Sequence, residues 1–157
     1  MGIHKEQFEN LSEQLIKGLP FIEHFNIDEY RRPSDEVSSF LITVKRDMIQ
    51  SEINAYILLL ERLEYHEEEW NWSEKLVLSS RDAVLNRILN RIDKGVFSSI
   101  DSQMLAKKIL EVDIDIDVYR ELTNESSNII IFDDWNLLEI MGRNEDNYFL
   151  FTWYTTA

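Results

Sequence analysis

The sequence predicts an α+β fold, with about five helices in the N-terminal two-thirds packed on a small antiparallel C-terminal sheet. Three observations carry this prediction. The tail from Ser127 to Ala157 is dense in the β-branched and aromatic residues that suit a pleated, half-buried surface. Inside it, Gly142-Arg143-Asn144-Glu145-Asp146-Asn147 supplies glycine and asparagine, which tolerate a tight reversal. Upstream, apolar residues recur at helical spacing between capping and stop signals. A chain of 157 residues is expected to fold as one domain, residues 1–157, burying roughly 68–70% of its unfolded surface.

The elements follow in order. Residues 4–17 read as a first helix, with Phe8, Leu11 and Leu15 on one stripe and Gly18 and Pro20 as the stop. Phe21–Phe25 is a short apolar segment before a polar connection. Ser34 is placed to cap a second helix whose stripe is Val37, Phe40, Leu41, Val44 and Met48, although Phe40–Val44 alone also fits a strand. A third helix is expected over about 52–68, burying Ile53, Tyr56, Ile57, Leu60 and Leu63. A fourth follows at about 80–94, with Ala83, Val84, Ile88 and Ile92 inward and Gly95 at its end. Its Arg81, Arg87 and Arg91 are placed to pair with acids on adjoining elements. The fifth runs from Ser102 to about Leu110 behind an Asp101 cap, and Ile129–Phe132 reads as a strand preceding the hairpin.

The hairpin register can be read directly. If the reversal centres between Glu145 and Asp146, Leu138 faces Trp153, Ile140 faces Phe151 and Gly142 faces Phe149. That face is apolar, with an aromatic ring over the glycine. The other face pairs Leu137 with Tyr154, Glu139 with Thr152 and Met141 with Leu150, and is expected to be only partly buried. A slip of one residue would exchange the faces, so burial fixes the register.

Charge bounds the function. The net charge is −14, of which residues 111–157 carry −9. Such a field repels phosphate, which disfavours binding to nucleic acid or to an anionic membrane and favours a basic partner. No apolar run approaches the roughly 18–20 residues needed to cross a bilayer. The N-terminus lacks the apolar core of a signal peptide, so a cytoplasmic location is expected. The chain has no cysteine, which removes disulfides and thiolate metal sites.

Three acidic constellations are the candidates for partner binding. Val112-Asp113-Ile114-Asp115-Ile116-Asp117-Val118 alternates, which on an extended segment puts Asp113, Asp115 and Asp117 on one face. This is either an edge for a basic partner or a charged solvent face that blocks strand aggregation. The glycine and closing glutamate of a calcium loop are absent. Glu67, Glu68 and Glu69, beside Trp70 and Trp72, combine acids with large aromatics as interfaces do. His66 begins this run like a zinc-protease helix, but Trp70 stands where the second histidine must fall. Asp133 and Asp134 precede the hairpin, at a strand boundary. Nothing resembles a phosphate-cradling glycine loop or a nucleophile elbow, and no cofactor is expected.

The ending WNLLEIMGRNEDNYFLFTWYTTA resembles the closing hairpin of small acidic immunity proteins from bacterial polymorphic-toxin systems, including contact-dependent growth inhibition. The resemblance implies a cytoplasmic, non-catalytic protein that binds a cognate toxin domain, frequently a nuclease, and blocks it. It carries no functional residues with it. A different class, an acidic adaptor or regulatory subunit packing through Trp70 and Trp72 or a hairpin face, fits the same composition. Without thiolates or paired histidines, no metal is expected to be structural. Excess chelator should therefore leave the melting temperature unchanged, and a fall of several degrees would contradict this.

Overall fold

The structure is a computed structural model that describes residues 4–20, 27–32, 37–70, 81–112, 114, 116–124 and 126–155. Along the chain lie α1 (Lys5–Glu9), α2 (Glu13–Lys17), β1 (Ile27–Arg32), β2 (Val37–Lys45), a 3-10 turn (Arg46–Met48) and α3 (Glu52–Trp70). They are followed by α4 (Arg81–Lys94), β3 (Ser98–Ile100), α5 (Ser102–Leu110), α6 (Ile116–Thr123), β4 (Ser127–Asp134), β5 (Leu137–Arg143) and β6 (Asn147–Thr155). The strands form one antiparallel sheet in the order β1-β2-β6-β5-β4-β3.

The C-terminal hairpin has the register its sequence requires. Leu138 pairs with Trp153, Ile140 with Phe151 and Gly142 with Phe149. Gly142 is obligatory at its position: a Cβ there would lie 2.7 Å from Phe149 Cζ and 2.6 Å from the Ser127 carbonyl oxygen. The Asn144 side chain closes the turn by accepting from the Asp146 and Asn147 N–H groups at 3.1 and 2.9 Å. Asp101 caps α5 as expected, accepting from the Met104 N–H at 2.8 Å.

Helices cover both faces of the sheet, not one. Phe40, Ile42, Val44, Met141, Tyr148 and Leu150 meet α3 and α4 in one cluster. Leu41, Leu138, Ile140, Phe149 and Phe151 meet Leu105 and Ile109 of α5 and Val118 and Leu122 of α6 in the other. The face expected to be partly wet is dry where Met141, Leu150 and Glu139 are fully buried, and half-buried only at Leu137 and Tyr154.

This double burial explains two further differences. Val37–Lys45 is the strand β2, paired with β6 along nine residues, and not a helix. Its apolar run fits a helical stripe equally well, because a strand buried on both faces loses the alternation that marks strands. The sheet thus reaches into the N-terminal third. The supposed first helix is two, since Ser12 caps a new start by accepting from the Leu15 N–H at 3.1 Å. The restart shifts the helical phase, so Ile16 is buried and Leu15 exposed. The proposed Ser34 cap and the Phe21–Phe25 segment lie outside the described residues.

The pairing expected of Arg87 and Arg91 is present, and that of Arg91 lies inside the protein; the Arg81 side chain is outside the described residues. Arg91 Nη1 donates to both oxygens of Glu139, at 2.7 and 2.9 Å, and its Nε donates to Glu64 Oε1 at 2.9 Å. Arg87 Nε stands 3.7 Å from the other oxygen of Glu64. A register shift between Ile130 and Phe132 sets Phe132 opposite Glu139, and the Phe132 ring covers the Arg91 guanidinium, 5.9 Å from its centroid.

Two stability measurements follow. Phe151→Ala should lower the unfolding free energy by about 3–5 kcal/mol in urea titration, the range for emptying a core aromatic site. Arg91→Met should lower it by about 3–5 kcal/mol by removing the guanidinium that the buried Glu139 and Glu64 share. Adding Glu139→Gln to Arg91→Met should restore part of that loss, whereas simple additivity would contradict the coupling.

Candidate partner-binding surface

The second helical layer decides where the acidic residues gather. Ser102 at the start of α5 donates to the Ser126 carbonyl at 3.1 Å, and Lys108 near its end pairs with Asp133 at 2.6 Å. Hence α5 runs alongside β4 in the same direction. Residue 112 leaves α5 at the end of the sheet where the β4–β5 turn lies. Helix α6 then returns to the opposite end, where Ser126 Oγ donates to the Leu122 carbonyl and Asn144 donates to Glu121 Oε1 at 2.9 Å. The α5–α6 connection and the β4–β5 turn therefore share one end of the sheet.

That end joins two of the three constellations. Asp133 and Asp134 close β4 and are exposed, and Asp117 sits in the first turn of α6 with its side chain in solvent. Glu111, exposed at the end of α5, adds to them. Asp113 and Asp115 lie outside the described residues.

The extended reading of the alternation does not hold for Asp117, which is helical. Ile114, Val118 and Leu122 repeat every four residues and pack into the second cluster, so the helical period governs Ile116–Thr123. Ile116, inward on the strand reading, is 59% exposed. Asp117 instead gains from the helix N-terminus, where a carboxylate meets the positive end of the dipole.

The third constellation is only partly placed. Glu67, Glu68, Glu69 and Trp70 form the end of α3, whose side chains from residue 65 onward are outside the description, as is Trp72. The helix starts where Glu52 meets Arg143 at 3.3 Å and passes Arg91 and Glu139 through Glu64. It is thus directed toward the acidic end on the other side of the sheet.

One residue escaped the sequence reading. Trp135 occupies the β4–β5 turn and is 75% exposed, the most exposed large apolar side chain among the described residues. Leu110 and Ile116, at the same end, are 72% and 59% exposed. The available signal was the position of Trp135 after two aspartates and before an asparagine, a turn composition with no room for a core side chain.

At the far end a cleft of about 290 Å³ is lined by Arg46, Ser126, Ser127, Arg143, Asn144 and Glu145. Its arginines serve the fold. Arg46 donates to the Asn144 carbonyl at 2.7 Å and lies over the Tyr148 ring, while Arg143 meets Glu52. Tyr56 donates to the other oxygen of Glu52 at 2.8 Å. Burial, and next the Glu52 carboxylate, push the Tyr56 hydroxyl far above its ordinary range, so it stays protonated.

Among the described residues no group of three or more histidines or carboxylates is arranged to hold a metal ion, and no helix is long and apolar enough to cross a membrane. No protein-family description, no curated protein and no solved structure matches the chain.

Proposed function

We propose that this protein is an immunity protein: it binds a basic toxin domain, a nuclease by preference, and occludes it with the acidic end of the sheet. The observation that carries the reading is the meeting of Asp117, Asp133 and Asp134 with the α5–α6 connection at one end. A nuclease site is basic because it must hold phosphates, and an acidic surface can occupy the same field. The resemblance of the C-terminal hairpin to immunity proteins supports the same reading.

The acids are suited to steering. Asp117 and Asp134 are exposed, so their field reaches a partner before contact. Asp133 has a second task, because its pair with Lys108 holds the turn against α5. Exposed pairs contribute about 0–1 kcal/mol, so that contact orients more than it stabilises.

Asp113, Asp115, Asp117 and Asp134 changed together to Asn should slow association by roughly three- to tenfold at low salt and flatten its salt dependence. Stopped-flow mixing with the purified C-terminal domain encoded immediately upstream, at several salt concentrations, measures this. An unchanged association rate would remove the acidic end from the mechanism. Absence of binding by the unaltered protein would overturn the immunity reading and favour an adaptor.

A further inference from the structure

We infer that Trp135 is the anchor of this surface, seating in an apolar pocket bordered by lysine or arginine on a basic protein partner. This rests on the acidic end being a partner surface, and it names the contact that holds the partner there.

An indole that is 75% exposed packs little of its own protein and leaves its faces open to a partner. Its support is rigid. On one side Asp133 pairs with Leu138 across the strands and with Lys108 of α5 at 2.6 Å. On the other, the Thr155 N–H donates to the Asn136 carbonyl at 3.0 Å, tying the turn to β6. A ring on such a base loses little conformational freedom when it binds. Tryptophan is also among the residues most enriched where binding energy concentrates.

The surroundings choose the occupant. Leu110 and Ile116 are exposed at the same end, where Glu111, Asp117, Asp133 and Asp134 outnumber Lys107, Lys108 and Arg120. An anionic lipid surface or a nucleic acid would be repelled, and a second copy would bring its own −14. A cationic rim around an apolar pocket satisfies both parts, since lysine or arginine can pair with the acids and also lie against the indole face.

Two synthetic peptides of equal length and charge separate the contributions: one of lysine and leucine in amphipathic helical register, one of lysine and serine. Labelled peptide anisotropy should show Trp135→Ala weakening the lysine–leucine peptide about thirty-fold, the effect of a hot-spot residue, with the lysine–serine peptide within twofold of wild type. Trp135→Phe should keep most of the affinity. The site is exposed, so an unchanged melting temperature will confirm that each variant is folded. Equal weakening of both peptides, or of neither, would overturn the anchor. So would a wild-type dimer in sedimentation that Trp135→Ala dissociates, since the occupant would then be a second copy. Neither peptide contains the upstream domain, so failure of that domain to bind bears on the immunity reading alone.

Discussion

A buried carboxylate in the middle of β5 constrains the whole fold. Glu139 is fully enclosed, and an unpaired charge there would be prohibitive. The cation comes from Arg91, on an element 48 residues away, and the same guanidinium also binds Glu64 of α3. One side chain thereby places two helices and a strand relative to one another. Apolar substitutes of similar volume would hold these elements together as well or better, because burying ions is expensive. What they would lack is a demand for one arrangement. With α3 and α4 committed to this face of the sheet, the opposite face is left for α5 and α6.

The hairpin was legible because all its determinants are local. Gly142, the asparagines of the turn and the alternation on either side lie within about twenty residues, and they specify the observed register. Helix α5 was legible for the same reason, its cap and stripe being contiguous. Burial of Glu139 was not, since a glutamate opposite a threonine reads as a solvent face until Arg91 is brought across. Strand β2 was ambiguous because a sheet covered on both sides erases the period that identifies strands. In Ile114–Leu122 two periods coexist, and packing of Val118 and Leu122 against the sheet selected the helical one. Of the candidate surface, Asp133 and Asp134 could be placed at a strand boundary from sequence. Their proximity to Asp117 could not, because it depends on the direction of α5, set by contacts at Ser102 and Lys108.

The charges of this protein divide by task. Inside, Glu64, Arg91 and Glu139 answer one another within hydrogen-bonding distance. At the cleft end, Arg46 and Arg143 tie the hairpin to β2 and α3. Among the described residues these arginines hold elements together, while many of the acids are exposed. Some of these acids collect around the α5–α6 connection and the β4–β5 turn, where Lys107, Lys108 and Arg120 stand against them.

That division bears on how the proposed surface would work. Exposed carboxylates act over roughly 8–10 Å before salt screens them, so they influence encounter and orientation. They hold a docked partner weakly, because each remains able to return to water. An indole has no reach beyond contact, but once covered it resists leaving, and dissociation is where affinities of related complexes mostly differ. The topology joins the two at one end of a sheet clamped by helices on both faces. Salt and apolar truncation would therefore act on different rate constants of one binding event, a separation that neither the charges nor the tryptophan would produce alone.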